Sequence, residues 1–169
     1  MSSPGPSPQP SAAGAAPSPR DVEYVRRVAA ADHNWAIVAT ARRDGSIQAT
    51  VVTAGVMDHP VTGRPTVAYV ARGETVKLRN MRRDPRTTVV FRAGREWVTV
   101  EGRVSLIGPD DAYQGFDTAR VPQLLREVFT AAGGTHDNWE EYDRVMAAER
   151  RTAVFVEMDR VYSNANQRR

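Results

Sequence analysis

Cysteine is missing from this 169-residue chain, and lysine occurs only once. The absence of cysteine excludes disulfides, thiolate metal sites and a cysteine nucleophile. Long apolar runs are missing too, so the sequence offers no candidate for a membrane-spanning helix. The N-terminus has no basic residue before Arg20 and no apolar stretch, which is unlike a secretory signal. We therefore expect a cytoplasmic protein with one folded domain and no membrane partner.

Motifs for several kinds of catalysis and nucleotide binding are absent as well. The sequence has no Gly-x-Gly-x-x-Gly and no phosphate-loop motif, and no serine or threonine lies on a nucleophile elbow. Its three histidines, His33, His59 and His136, are scattered at the ends of predicted elements, without the spacing of a metal site. We expect His33 and His136 to be caps or surface residues. The sequence thus identifies no catalytic side chain and no metal ligand, and an enzymatic reaction would need a cofactor.

The charged residues are unevenly distributed. Residues 72–95 carry eight basic side chains, among them Lys77, against two acidic ones, whereas residues 110–149 carry nine acids against three arginines. A basic centre of this kind attracts phosphates, carboxylates or nucleic acids. Binding of single-stranded nucleic acid would require aromatic residues interleaved with the arginines, and the one aromatic residue in residues 72–95 is Phe91. We therefore expect an anionic small molecule and no nucleic-acid partner.

The order of predicted elements indicates one domain between two tails. Residues 1–19 are rich in Ser, Pro and Ala and are expected to be a disordered tail, and residues 166–169 form a short C-terminal tail. Between them, residues 20–165 contain strands that come mostly as hairpins, for example around the turn Asp44-Gly45. A short polar segment, Thr75–Arg83, has helical propensity. Hairpins with helices inserted at their ends favour a mainly β fold, a closed antiparallel barrel.

Three sequence blocks carry a resemblance to a known family. They are Arg43–Gln48 (RDGSIQ), Thr75–Arg86 (TVKLRNMRRDPR) and Trp97–Gly102 (WVTVEG). With these blocks the chain resembles the pyridoxamine 5'-phosphate oxidase-related split β-barrel superfamily over roughly residues 20–165. It is most similar to the actinobacterial branch of that superfamily that uses the deazaflavin coenzyme F420. Two further sets of residues also fit that branch: Ala39-Thr40, and the C-terminal stretch with His136, Trp139, Tyr142, Met146, Arg150-Arg151 and Val161-Tyr162. The second block is quite specific, whereas the hairpin alone is not.

The resemblance implies a six-stranded antiparallel split β-barrel of the FMN-binding type, which forms a homodimer with a cofactor in each groove between the subunits. The strand after the Asp-Gly turn would lie beside the cofactor ring, and the start of the short helix would hold the phosphate. Trp97 would form an aromatic wall of the groove or a core or interface residue. The cofactor-binding residues implied in this way are Gln48, Thr50, Val51, Val52, Thr53, Val70, Arg72, Thr75, Val76, Lys77, Asn80 and Trp97.

Lys77 is the expected anchor of the cofactor phosphate. A helix N-terminus offers unpaired N–H groups and a partial positive charge to an anion. Lys77 lies two residues inside the predicted helix and would reach the same oxygens, with Arg72 approaching from the end of the preceding strand. Relatives commonly carry a basic residue two positions before the lysine, where this chain has Thr75. A threonine hydroxyl donates one hydrogen bond but brings no charge.

The function implied by the resemblance is hydride transfer from reduced F420 to a small electron-poor organic molecule. Two alternatives stay open. One is an FMN-dependent oxidase or reductase of the same fold, and the other is a non-catalytic cofactor-binding protein. The loop His59–Arg64 does not indicate which small molecule would be the substrate.

Overall fold

The computed structural model describes residues 16–167, so residues 1–15 of the tail predicted for 1–19, and residues 168–169 of the tail predicted for 166–169, lie outside the described part of the chain. Within it, the helices and strands follow in the order α1 Pro19–Ala31, β1 Trp35–Ala41, β2 Ile47–Thr53, β3 Gly55–Asp58, β4 Pro65–Ala71, α2 Val76–Arg83, β5 Arg86–Ala93, β6 Glu96–Ile107, α3 Val121–Ala131, α4 Trp139–Ala148, β7 Thr152–Glu157 and β8 Arg160–Ser163. None of these helices is long and apolar enough to cross a membrane.

The strands form one antiparallel sheet in the order β2-β1-β5-β6-β7-β4-β3, and β8 pairs separately with β6. The long strand β6 connects the two halves, because its first part pairs with β5 and its last part, Val104–Ile107, pairs with β7. The predicted mainly β, antiparallel split-barrel fold is confirmed. The sheet is open, however: within residues 16–167 no ladder joins β2 to β3, so the prediction of a closed barrel is wrong.

Residues 16–167 form eight strands where six were expected, because two strands that the sequence predicts, Ile47–Val56 and Thr152–Tyr162, are each divided. Ala54 leaves the β1 ladder, and its N–H donates to Asn34 O at 2.9 Å, so that the chain passes from β2 into β3 and changes partner from β1 to β4. The last predicted strand is interrupted at Met158–Asp159, after which β8 pairs with β6. Both breaks let one continuous stretch of chain serve both halves of the sheet.

Two apolar layers hold the helices onto the sheet. Ser18 Oγ accepts a hydrogen bond from Asp21 N at 3.1 Å and begins α1, which buries Val25 and Val28 against the sheet interior. On the opposite side α3 buries Leu124 and Val128 against β4 and β7. Burial of side chains of this size contributes about 1.5–3 kcal/mol each. This second layer fixes α3 and α4 beside the ends of β2 and β4.

Close backbone contacts also fix the position of α3. A Cβ added to Gly55, the first residue of β3, would lie 1.9 Å from Ala131 O. Only glycine therefore permits the C-terminal end of α3 to pack directly on β3. Pro109 and Asp110 predict the start of a helical region, but the chain has no helix at that point, where Gly108 and Asp111 form an isolated bridge. Asp137, with Glu140 three residues later, predicts a capping box, but the N-cap of α4 is Asn138, one residue further on.

His59 stabilises the turn between β3 and β4. Its Nδ1 accepts hydrogen bonds from Val61 N at 3.2 Å and Thr62 N at 3.3 Å, and its Nε2 lies 2.9 Å from Ser105 Oγ. Two donors at Nδ1 assign the proton of the neutral ring to Nε2, which donates to Ser105. Burial lowers the pKa of this histidine to about 4. His59 is therefore a neutral structural residue near pH 7.

Candidate functional site

A cavity of about 610 Å³ lies where the ends of β2 and β4 meet the start of α2 and the helices α3 and α4. Its lining divides into two parts. Polar and cationic side chains come from the end of β4, from α2 and from the residue before β7. Apolar and aromatic side chains come from β2, from β4 and from α3 and α4. A ligand with an anionic end and a flat apolar part matches this division.

The cationic end of the cavity is formed by Arg72, Lys77 and Arg151. Glu149 lies beside them: its Oε1 is 4.0 Å from Arg72 Nε, and its Oε2 is 2.6 Å from Arg151 Nη2. The backbone brings these residues together, because Gly73 N donates to Glu149 O at 3.1 Å. Within residues 16–167, Glu149 is thus the one carboxylate paired with this group, and it contacts Arg72 and Arg151 but not Lys77, which leaves an excess of positive charge.

Lys77 is the cation of this group that has no carboxylate partner among residues 16–167. Its side chain is half-buried, and the residue is the second of the short helix α2. Burial lowers the pKa of Lys77 below its usual value, and the positive charge of Arg151 lowers it further. Both causes disfavour the ammonium form, and a bound anion would reverse the effect. Lys77 is therefore a charge whose environment favours an anionic ligand.

Thr75 provides an unpaired hydroxyl at the same place. It is the N-cap residue of α2, with φ −68° and ψ 152°, but its side chain makes no capping hydrogen bond. The Oγ1 atom is buried and has no hydrogen-bond partner in the described part of the chain. Buried hydroxyls are normally hydrogen-bonded, and an orphaned one needs an explanation. A ligand oxygen in the cavity, which Thr75 lines, would supply the missing partner.

The apolar part of the cavity has an aromatic wall from α3 and α4. Phe129 and Tyr142 lie in contact, with ring centroids 5.0 Å apart, and Met146 lies one turn beyond Tyr142. The Tyr142 hydroxyl donates to Leu125 O at 3.2 Å, and burial raises the pKa of Tyr142 to about 12. The ring is thereby held in position. Together with Val52 and Val70 this wall offers apolar surface to a flat ring system.

The turn between α1 and β1 closes the cavity at its outer edge. His33 and Asn34 have positive φ angles of 53° and 60°, which few residues other than glycine adopt. A Cβ added to Gly133 would lie 2.6 Å from Asn34 Nδ2, so this turn packs directly on the end of α3. His33 and Trp35 line the cavity here. His33 is exposed, as expected of a surface residue, and it lies at the edge of the cavity.

Seven of the twelve residues implied by the resemblance line the cavity. They are Val51, Val52, Thr53, Val70, Arg72, Thr75 and Lys77. The structure brings them together from β2, β4 and α2, which are separated in sequence. Their role in cofactor binding stays a prediction, but they share one concave surface.

Four of the other five residues lie close to this surface without lining it. Asn80 is buried, and its Nδ2 donates to Thr40 Oγ1 at 3.0 Å and to Gln48 Oε1 at 3.4 Å. These bonds connect α2 to β1 and β2, so that Asn80 and Gln48 hold in place the helix that carries Lys77. Thr50 lies on the same face of β2 as Gln48, and its Oγ1 is buried without a partner among the described residues. Val76 is exposed.

Trp97, the fifth, lies away from the cavity at the start of β6. Its ring packs edge-on against Tyr162, with centroids 6.1 Å apart, and its backbone N–H donates to Asn164 Oδ1 at 3.3 Å. Trp97 therefore contributes to the contact between β6 and β8. A cofactor-binding role for it stays a prediction.

Metal ligands are not grouped anywhere in residues 16–167: no three His, Cys, Asp or Glu side chains are arranged to hold an ion. The cavity instead combines cations, an orphaned hydroxyl and an apolar wall on an open antiparallel sheet. These features define a split-barrel protein with a cavity suited to an anionic ring compound. The chain belongs to the pyridoxamine 5'-phosphate oxidase family, whose family model matches residues 23–163.

Solved structures with different ligands share this fold. A pyridoxamine 5'-phosphate oxidase-related, FMN binding protein from Nostoc punctiforme is 11% identical, with a TM-score of 0.59 over 83% of this chain and 82% of that one. An F420 reductase is 14% identical, with a TM-score of 0.52 over 76% and 89% of the two chains. A heme binding protein from Mycobacterium smegmatis is 19% identical, with a TM-score of 0.55 over 86% and 54%. Identities this low show a common fold and not a common ligand.

Proposed function

We propose that this protein is an F420-dependent oxidoreductase that reduces a small electron-poor organic molecule. The observation that carries the proposal is the combination, in one cavity, of unpaired anion-binding groups with an apolar floor and wall. Among the described residues, Lys77 has no carboxylate partner, and the buried Thr75 Oγ1 has no hydrogen-bond partner. A phosphate would satisfy both, and the adjoining valines and Phe129 would accept a ring.

The residues of the cavity fit the group that the proposal requires. When bound, the deazaflavin supplies hydride transfer, a chemistry for which the protein needs no side-chain nucleophile. Lys77, Arg72 and Thr75 would hold the phosphate, and Val51 and Val70 would orient the ring. Positioning of this kind is a large part of what a protein contributes to a cofactor reaction. The proton that completes the reduction can come from water.

A second copy of the chain is proposed to cover the outer face of β1 and β2. Strand β2 is the last in the sheet, and its Val51 lies opposite Ile37 in the ladder. On this face Trp35, Ile37, Ile47 and Val51 are between 47% and 62% exposed. Apolar patches of this kind mark interaction surfaces. Because Trp35 and Val51 also line the cavity, a homodimer formed here would place the cofactor at the subunit interface.

The main alternative is an FMN-dependent oxidase or reductase. The cationic end of the cavity would accept FMN as well as F420, because the phosphate of FMN is a monoester with about 1.5 to 2 negative charges near pH 7. A non-catalytic protein that only carries the cofactor would use the same residues. The fold therefore leaves three outcomes that differ in ligand and in turnover.

Turnover with defined cofactors separates these outcomes. Purified full-length protein is mixed with reduced F420 and a series of conjugated carbonyl and quinone acceptors, and the return of the oxidised deazaflavin absorbance is followed. We expect protein-dependent oxidation of reduced F420 by at least one acceptor class. Tight F420 binding without turnover would indicate a carrier. Reaction with reduced FMN but not with F420 would indicate the flavin alternative, and heme is added as a third ligand because one protein of this fold binds it.

A further inference from the structure

We infer that Arg151 is a second anion-binding arm of the cavity, facing Lys77, and that it binds the phosphate of the ligand. The ligand's identity as a flavin-type cofactor rests on the proposed function, but the charge arrangement does not. Arg151 lies directly before β7, far in sequence from the block that contains Lys77, and its side chain lines the cavity.

The charges at this end of the cavity favour the binding of an anion beside Arg151. Arg72, Lys77 and Arg151 carry three positive charges, and the one carboxylate paired with them in residues 16–167 is Glu149, which contacts Arg72 and Arg151, so that two positive charges are in excess. Arg150, the neighbour of Arg151, does not compete, because its guanidinium is paired with Asp110. A phosphate monoester, as in FMN, carries close to two negative charges at neutral pH and would balance the excess, and a phosphodiester, as in F420, would balance one of the two charges.

Glu149 orients Arg151 without using all of its donors. Arg151 Nε donates to Glu149 Oε2 at 2.7 Å, and Nη2 lies 2.6 Å from the same oxygen. A guanidinium has five N–H donors in a planar fork, so this pair occupies one edge and leaves the edge containing Nη1 for another acceptor. A phosphate bound at that edge would receive charge-assisted, bidentate hydrogen bonds.

Arg151 lies close enough to Lys77 for the two positive charges to repel each other. The positive charge of Arg151 contributes to the lowered pKa of Lys77, after burial. Two cations that repel each other across a cavity are both stabilised by an anion between them. A phosphate in contact with Lys77 would thus gain from Arg151 as well.

A matched pair of variants tests the assignment. Arg151→Gln removes the charge in the cavity, and Arg150→Gln removes the adjacent arginine, which is paired outside it. FMN and riboflavin are titrated in parallel, because they share a ring and differ in the phosphate. We expect Arg151→Gln to weaken FMN binding by about 10- to 100-fold, as the loss of a hydrogen bond to a charged group implies, and to leave riboflavin unchanged. Arg150→Gln should bind both as the wild type does.

The single lysine gives a second readout that needs no cofactor. Reductive ¹³C-methylation labels Lys77 and the N-terminal amine, and the Lys77 NMR signal is titrated with pH and with inorganic phosphate. We expect the pKa of Lys77 to rise in Arg151→Gln, and its response to phosphate to require about tenfold more phosphate than in the wild type.

The outcomes separate this inference from the proposed function. If no flavin or deazaflavin binds but inorganic phosphate shifts the Lys77 signal in an Arg151-dependent way, the proposed function is wrong and the second arm stands. If Arg151→Gln binds FMN as the wild type does and responds equally to phosphate, the second arm is wrong. An absent phosphate response in the wild-type protein would overturn it too.

Discussion

Replacing Thr75 by valine should stabilise the free protein and weaken its ligand binding. A buried hydroxyl without a partner costs the folded state about 1–3 kcal/mol, and Thr75 Oγ1 is such a group among the described residues. Valine has nearly the same shape and no polar atom. The backbone at Thr75 is extended and the side chain makes no cap bond that valine would remove. We therefore expect the free energy of unfolding to rise by about 1 kcal/mol.

The same substitution should have the opposite effect on the complex. If Thr75 donates its hydrogen bond to a cofactor phosphate, its loss costs about 1.5–3 kcal/mol, or roughly 10- to 150-fold in the dissociation constant. Urea unfolding without ligand measures the first effect, and fluorescence titration with F420 and with FMN measures the second. A higher free energy of unfolding together with a lower ligand affinity would show that the Thr75 hydroxyl binds the ligand.

Thr66→Val is the matched control, because its hydroxyl has a partner. Thr66 Oγ1 donates to Met57 O at 2.8 Å, and the residue is fully buried. Its loss should lower the free energy of unfolding by about 1 kcal/mol and leave ligand affinity unchanged. The reasoning about Thr75 would be refuted if Thr75→Val destabilised the free protein as Thr66→Val does, or if it bound the cofactor normally.

Three further substitutions test other parts of the account. Lys77→Ala should weaken cofactor binding by about 1.5–3 kcal/mol in a titration, and unchanged affinity would refute its role as the anchor. Arg79 is exposed and has no carboxylate partner in the described part of the chain. Because F420 has a polyglutamate tail and FMN does not, Arg79→Gln should weaken the binding of F420 but not that of FMN. The control is Arg86→Gln, at an arginine paired with Asp84. His59 stays neutral in the fold with a pKa of about 4, against 6.5 when unfolded. The unfolded state therefore binds more protons between these values, so stability should fall by about 3 kcal/mol as pH drops from 6.5 to 4. In urea unfolding, most of this loss should disappear in His59→Gln.

Local patterns were sufficient to predict the half of the site that comes from neighbouring parts of the chain. The Asp44-Gly45 turn fixes the β1–β2 hairpin, and the polar segment before Asp84-Pro85 forms α2 as predicted. Because β4 leads directly into α2, Arg72, Thr75 and Lys77 must lie near one another. The family resemblance added β2, which local patterns alone could not have placed beside β4.

The other half of the site depends on contacts between distant segments, which local sequence patterns cannot predict. Phe129 and Met146 are on helices that pack against the sheet through close contacts such as Gly55 on Ala131. Met146 and Arg151 belong to the C-terminal stretch that fits the family branch, but the resemblance did not indicate that they line one cavity with Lys77. Periodicity also could not show that the predicted strand 47–56 changes its partner at Ala54, because both of its halves have strand character.

Parallel titration of the wild-type protein and Lys77→Ala with F420 and with FMN tests the central claim most directly. We expect F420 to bind the wild-type protein more tightly than FMN does. We also expect Lys77→Ala to stay folded and to lose about 10- to 150-fold in its affinity for F420. Failure of the wild-type protein to bind F420, or tighter binding of FMN, would contradict it.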